Sequence, residues 1–242
     1  MPSPAATAHY DGQDLEALAD LPRYTGWILQ QFSPWLRGRV IEVGAGIGNV
    51  SLRYAAAVEE AVLVEPAINL HARLQQRVEG LAHVSTACGL LHEVAPQLAD
   101  RPFDAAVMVN VLEHIEDDVA VLRQLHGMLR PGGAVLLFVP ALPWLYGSLD
   151  ELVHHVRRYT KPQLHAALGQ AGLRVERLRY CDVLGIAPWW LAGRVLRRQR
   201  FDSAAAMAYD RFGVPLTRRV EGWMDPPLGK SLIAIATRPG GS

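Results

Sequence analysis

V-I-E-V-G-A-G-I-G-N, residues Val40 to Asn49, is the stretch on which the rest of the chain turns. Val40, Ile41 and Val43 form the apolar run of a short strand buried on both faces, as a parallel sheet requires. Gly44, Gly46 and Gly48 then break that strand. Glycine is placed where backbone must turn tightly or approach a ligand with no side chain in the way. A helix is expected to open near Asn49, its first amides pointing back at the turn. Strand, glycine turn and helix start make a cradle of the nucleotide-holding type.

Alternation spreads outward from this unit. The sequence predicts strands over Arg39 to Val43, Ala61 to Val64, His83 to Ala87, Phe103 to Val109 and Ala134 to Val139. Between them it predicts helices over Asn49 to Ala57, Ile68 to Val78, Leu90 to Leu98 and Asp117 to Leu129, with R-P-G-G at Arg130 to Gly133 as the last turn. Such alternation gives a parallel sheet with helices on both faces. Upstream, Arg23 to Leu36 reads as an amphipathic helix, Tyr24 and Trp27 serving core or lid, behind an N-terminal arm. Downstream come a polar loop from Ala141 to Tyr159, a helix over Lys161 to Ala171, a sixth strand over Leu173 to Tyr180 and a seventh over Ser231 to Thr237. Gly185 to Pro227 interrupts the last pair, and a connection that long is expected to hold helices of its own and to cover something.

Composition narrows the function. The 242 residues balance 24 basic against 24 acidic side chains, which argues against nucleic acid as partner. Cys88 and Cys181 fit no metal or redox spacing and suit a reducing, cytoplasmic compartment. The first residues lack a basic and apolar leader, and no apolar run is long enough to span a membrane. Nine histidines show no ligand spacing beyond the adjacent pair His154 and His155, so no metal is expected.

Ligands of open parallel sheets bind beyond the carboxyl ends of the strands. Four stretches bring chemistry there. Glu42 and the glycine turn come first. Glu65, followed by Pro66, ends the second strand about 20 residues on, where a carboxylate can accept ribose hydroxyls. Cys88, Gly89 and Leu90 follow the third strand, suited to an adenine edge, and N-V-L-E-H-I, Asn110 to Ile115, follows the fourth. A dinucleotide-dependent oxidoreductase also uses a glycine turn and a distal acid. Here the spacing is G-x-G-x-G, and a carboxylate beside the turn repels a pyrophosphate but suits a sulfonium and an ammonium.

V-I-E-V-G-A-G-I-G-N, V-E-P, F-D-A-A-V-M-V-N-V-L-E-H-I and L-R-P-G-G-A-V-L-L-F-V-P, in that order over residues 38 to 140, resemble the successive motifs of class I S-adenosylmethionine-dependent methyltransferases. The resemblance implies one Rossmann-like domain, a seven-stranded, mostly parallel sheet whose last strand is antiparallel, with an inserted cap over residues 185 to 227 and an acceptor loop over 141 to 160. It implies S-adenosylmethionine as cofactor. Its contacts would be Glu42, Gly44, Ala45, Gly46, Gly48 and Asn49 for the methionine part, Glu65 and Pro66 for the ribose, Cys88, Gly89 and Leu90 for adenine, and Asn110 and Val111 for the pocket wall. Many relatives carry an aspartate where this chain has Gly89.

L-Y-G-S-L-D-E and H-x-R-R-Y-T, within Leu145 to Thr160, resemble a stretch of a bacterial small-molecule subgroup. His155 holds its histidine position and is the candidate general base. Tyr146, His154, Arg157, Arg158 and Tyr159 are candidate acceptor contacts, the arginines either through paired hydrogen bonds to a carboxylate or phosphate or, instead, in ion pairs with Asp150 or Glu151. His114 reads as pocket wall. Trp189 and Trp190 with Arg194, Arg197, Arg198 and Arg200 read as a substrate cap or dimer contact ahead of a membrane-surface helix. Methyl transfer to a small-molecule hydroxyl, by a monomer or homodimer, is the expected function. An NAD-dependent oxidoreductase and a non-catalytic cofactor-binding scaffold stand as alternatives.

Overall fold

Arg39–Val43 (β1) has every side chain but the first buried, with Val40 and Glu42 turned to one face and Ile41 and Val43 to the other. That two-sided burial places it in the middle of a sheet. The computed structural model describes residues 21–240, and the N-terminal arm expected over the first 20 lies outside them. The other strands are Glu60–Glu65 (β2), Val84–Cys88 (β3), Phe103–Val109 (β4), Leu129–Pro140 (β5), Arg174–Cys181 (β6) and Ser231–Thr237 (β7). They form one sheet in the order β3-β2-β1-β4-β5-β7-β6. Pairings among β1 to β5 are parallel, and β7 runs antiparallel to both neighbours. The mostly parallel seven-stranded architecture is as expected.

Two cores flank the sheet. Helices Asp118–Met128 and Lys161–Gln170 pack Leu122, Leu125, Leu164 and Leu168 on the face of Ile41, Met108 and Leu137. Both helices start on side-chain caps, Asp117 accepting from the Ala120 amide and Thr160 from that of Gln163. Helices Pro22–Phe32 and Ile68–Val78 cover the other face with Trp27, Ile28, Phe32, Leu74 and Val78. The chain winds outward from β1 through β2 to β3, then returns to place β4 on the opposite side. The crevice between β1 and β4 is therefore a topological switch point, open at the carboxyl ends.

Three sequence expectations need correction. The helix after the glycine turn is short, an α-helical turn over Ser51–Tyr54 and a 3-10 turn over Ala55–Ala57, because the turn itself consumes Asn49 and Val50. Arg130 to Gly133 does not precede the fifth strand but lies within it. Leu129 already pairs with Phe103, and the extra residues form a bulge before Ala134 pairs with Ala105. The helix at Pro22 ends at Phe32, short of Leu36, since Pro34 has no amide to continue it.

The interruption before β7 holds helices at Ile186–Trp190, Ser203–Ala208 and Val214–Glu221, with wider turns at Leu191–Val195 and Tyr209–Gly213. Polar contacts bind it to the body. The Ser148 hydroxyl donates to the Gly193 and Arg198 carbonyls, and Asp210 accepts from the amides of Arg23 and Tyr24.

Candidate functional site

The glycine turn leaves β1 in a left-handed path, with φ of 71° at Gly44, 57° at Gly46 and 84° at Gly48. A Cβ on Gly44 would stand 2.5 Å from Val111 Cγ2, so the turn and the segment after β4 meet with no room for a side chain. Glu65, 5% exposed at the end of β2, braces the turn. One carboxylate oxygen accepts from the Gly46 amide at 2.8 Å and the other from the Ala67 amide at 2.9 Å. Burial pushes its carboxyl up, and the two amides pull it back. Each oxygen keeps capacity to accept a further hydrogen bond.

Glu42 faces the opposite way from the neighbouring valine. Its Oε2 accepts from Ser51 Oγ at 2.6 Å and Tyr54 Oη at 2.8 Å. Burial lifts its carboxyl to about 7 against those two hydrogen bonds, with Glu65 adding to the rise. Asn49 is engaged outside the turn, its amide oxygen accepting from Arg77 at 2.7 Å while Arg77 also holds the Ile47 carbonyl. Pro66 is half-buried and leads into the helix at Ile68.

At the end of β3, Cys88 lies in register with Glu65, and the Gly89 amide donates to the Glu65 carbonyl. Gly89 has φ of 148°, and a Cβ there would press on Glu93 Oε2 and Val94 Cγ1, each at 3.1 Å. An aspartate in this backbone conformation would be strained. The nearest carboxylate is instead Glu93, which accepts from the Leu90 amide at 2.8 Å. Sequence reasoning missed it because it lies inside the following helix. At the end of β4, Asn110 is exposed with φ of 53°, its amide donating to the Phe138 carbonyl of β5. A bare turn, a carboxylate with spare lone pairs and backbone groups beyond β3 fit a ribose flanked by an amino-acid end and an adenine.

The acceptor loop centres on Asp150, which is fully buried. Its Oδ1 accepts from Arg158 Nε at 2.7 Å and His155 Nδ1 at 2.9 Å, and its Oδ2 from the Gly147 amide and Trp189 Nε1. Burial works to raise this carboxyl, but His155 and the Arg158 charge outweigh it and hold it below the usual range. An ionised carboxylate only accepts, so His155 carries a proton on Nδ1, and in the neutral ring Nε2 is the nitrogen left with a lone pair. That Nε2 lies 3.6 Å from Glu113 Oε1, too far for a hydrogen bond. Glu113 is fully buried with both oxygens unpartnered, and burial pushes its carboxyl up to about 8. The His114 ring meets His155 edge to face at 4.9 Å between centroids.

Most of the expected acceptor contacts are turned to another use. Arg158 is buried and also donates to the Ala141 carbonyl. Arg157 pairs with Asp118 at 3.0 Å and the Glu116 carbonyl at 2.6 Å. Tyr159 is 2% exposed and donates to Asp118, and Tyr146 donates to the His155 carbonyl. A buried cation or phenol must be partnered, and the loop's own acids and carbonyls supply the partners. These four are engaged within the loop and its neighbours, while Tyr146 also lines a pocket with Glu151 and Arg194. Exposed His154 and the Nε2 of His155 are open to a ligand as well. Glu113, His114 and His155 also present ligand atoms within 4.8 Å of one another, a group able to hold a metal ion. Sequence spacing hid it, because His155 arrives from a different loop.

Between cap and body lies a mainly apolar cavity of about 180 Å³, walled by Tyr24, Leu149, Trp189, Phe201, Tyr209 and Lys230 among others. Lys230 pairs with Asp182 at 2.7 Å and sits against the rings of Tyr24 and Trp189.

Residues 15–178 match the family model described as a methyltransferase domain. A ubiquinone biosynthesis O-methyltransferase of Xanthomonas axonopodis pv. citri (strain 306) is 30% identical over 177 residues, covering 66% of this chain and 71% of its own. An S-adenosylmethionine-dependent methyltransferase from Mesorhizobium loti shares the fold with a TM-score of 0.58 at 16% identity, over 88% of this chain and 98% of that one. So does a protein described as a cyclase, SpnF, with a TM-score of 0.58 at 18% identity over 100% and 99%. Among the described residues no helix is long and apolar enough to cross a membrane. Family membership decides the choice of cofactor between NAD and S-adenosylmethionine, and the chain belongs to the class I S-adenosylmethionine-dependent methyltransferases.

Proposed function

We propose that the protein methylates a hydroxyl oxygen of a small molecule, with His155 as proton acceptor. One observation carries the reading: the His155 Nδ1 contact with an ionised, fully buried Asp150, which in the neutral ring fixes the tautomer with Nε2 as the proton-accepting nitrogen. The cofactor supplies a methyl group on a positively charged sulfur. The chain holds the acceptor oxygen in line with that carbon, excludes water, and takes the hydroxyl proton on Nε2 as the new carbon–oxygen bond forms. Glu65 is read as the ribose acceptor, the turn from Gly44 to Asn49 with Glu42 as the methionine end, Cys88 to Leu90 as the adenine wall, and Asn110 and Val111 as the pocket side. The cavity under the cap suits an apolar part of the acceptor, and the O-methyltransferase relative supports oxygen as the atom methylated. Two free thiols, Cys88 and Cys181, suit a cytoplasmic place.

The test is methyl transfer over a panel of phenols and catechols, with product identified by mass spectrometry. An O-methyl product that falls at least about 100-fold in His155→Gln, with cofactor affinity unchanged, is expected. Full activity in that variant, or methylation at carbon or nitrogen, would sink the assignment.

Glu113 favours a second reading. A buried carboxylate with neither oxygen hydrogen-bonded, one of them 3.6 Å from His155 Nε2, leaves room for a proton or for a divalent cation, and His114 would complete a two-histidine, one-carboxylate set. A metal there would lower the hydroxyl pKa directly, and His155 would be ligand rather than base. Activity lost on chelation and restored by added magnesium, manganese or zinc selects this reading. Chelator-resistant turnover selects the first.

A further inference from the structure

Most large hydrophobic side chains that stay exposed among the described residues lie in the cap. On the helical segment from Tyr209 to Glu221 they form a stripe. Phe212, Leu216 and Val220 recur every four residues, continued by Trp223 and Met224 just beyond its end. They are not marginally exposed: Phe212 is 68% open, Met224 65% and Trp223 89%. The same segment already has a buried face, Asp210, Val214, Thr217 and Glu221, which holds the cap to the body. The stripe is therefore a second apolar face, uncovered among the described residues.

Charge around the stripe is predominantly basic. Between residues 185 and 227 the chain has arginines at 194, 197, 198, 200, 211, 218 and 219 against acids at 202, 210, 221 and 225. Asp210 and Glu221 are buried, while Asp202 is paired with Arg198 and Asp225 with Arg179. The guanidinium of Arg211 lies over the Phe212 ring, and Arg197, Arg200 and Arg219 enter no ion pair among the described residues. A second apolar group, Trp190, Leu191, Val195 and Leu196, is also exposed beside Arg194 and Arg197.

We infer that the outer face of the cap docks on an anionic lipid bilayer. An apolar stripe rimmed by arginines, with tryptophan at its end, matches the depth profile of an interface: hydrocarbon, then ring-lined boundary, then phosphate. A second copy fits worse. Two-fold pairing of the stripe would bring Arg211 and Arg219 against their own counterparts. Docking here goes beyond methyl transfer and does not depend on it. It would bring the cavity beneath the cap next to the membrane surface, where an acceptor with an apolar tail resides.

Flotation with phosphatidylcholine vesicles, with and without phosphatidylglycerol, tests this on the full chain. The protein should float with the phosphatidylglycerol vesicles and lose at least about tenfold in affinity in Phe212→Asp and in Trp223→Ala. Arg211→Glu with Arg219→Glu should remove the preference for the anionic lipid. Calorimetric binding of S-adenosylmethionine, unchanged in each variant, shows that the fold and the cofactor site survive independently. No flotation with either vesicle overturns the proposal, as does a concentration-dependent dimer abolished by Phe212→Asp. Binding to an acidic protein instead of vesicles would overturn it equally.

Discussion

Glu65 and Asp150 are both buried carboxylates beyond the sheet's carboxyl edge, and they are used in opposite ways. Glu65 takes only backbone amides, from Gly46 in the turn after β1 and Ala67 just beyond its own strand. Asp150 gathers side chains from separate stretches, His155, Arg158 and Trp189 of the cap, with a single backbone amide. The cofactor side is thus built of backbone placed by short motifs. The acceptor side is a network of side chains that exists only once the chain has folded. A backbone site should lose function locally when its carboxylate is removed. A side-chain network should lose function and stability together.

Asp150→Ala should have the largest effect. It leaves the Arg158 guanidinium buried without its carboxylate, which costs about 3–5 kcal/mol of stability. It also frees the His155 ring, so kcat should drop by roughly 100-fold or more in whatever protein remains folded. Denaturant unfolding and turnover on the same preparation measure both. A variant that lost turnover with an unchanged unfolding midpoint would break the contrast. Glu65→Ala comes next, and its effect should fall on binding. Two amides lose their acceptor and, with Glu65 as the proposed ribose acceptor, S-adenosylmethionine affinity should weaken about 100-fold by calorimetry, with a smaller loss of stability. Equal losses of stability in the two variants would erase the distinction.

The same contrast explains what could be read in the sequence. Val40 to Val43, the glycines and Glu65 announce themselves because their roles are local, and four of the expected elements, from Arg39, Ile68, Phe103 and Ser231, coincide with the observed ones. Glu113, which faces His155, gives no such signal. It is the fourth residue of N-V-L-E-H-I, and only the fold seals it and brings the second loop onto it. Arg157, Arg158 and Tyr159 look like ligand contacts as a string; the ion pair of Arg158 with Asp150 could be read from their closeness, but the partner of Arg157 and Tyr159, Asp118, comes from a distant helix. The bulge at Arg130 to Gly133 looks like a turn because both use glycine and proline, and the difference lies in the pairing of Leu129 with Phe103.

Glu42 sharpens the comparison from the cofactor side. Folding raises its carboxyl from 4.5 to about 7, chiefly through burial. Between those values the folded protein keeps a proton that the unfolded chain has lost, so stability is full below about 4.5 and declines as pH rises toward 7. The loss approaches about 3 kcal/mol. Glu42→Gln keeps neutral partners for Ser51 and Tyr54 and should remove that share of the slope, making the variant more stable than wild type at pH 8 but not at pH 4. Glu113, raised to about 8, contributes a second decline that the variant leaves in place. Thermal unfolding across pH separates the two, and a parallel shift at every pH would show that burial of this acid is not what the fold tolerates at a cost.

The smallest effect tests whether the glycine turn is shaped by its neighbour or by its backbone alone. Gly44 has φ of 71°, a region that costs an alanine about 1 kcal/mol wherever it occurs. It also lies against Val111, where a Cβ would sit 2.5 Å from a methyl carbon. Gly44→Ala should therefore lose about 2 kcal/mol by unfolding. Val111→Ala alone opens a half-buried site and should cost less. In the double variant the steric part disappears and the backbone part stays, giving a coupling of roughly 1 kcal/mol in favour of the pair. Simple additivity would mean that Val111 yields freely, and that the turn is held only from the Glu65 side. Coupling of the expected size would show that the segment after β4 sets the shape of the turn after β1, across the crevice between those two strands.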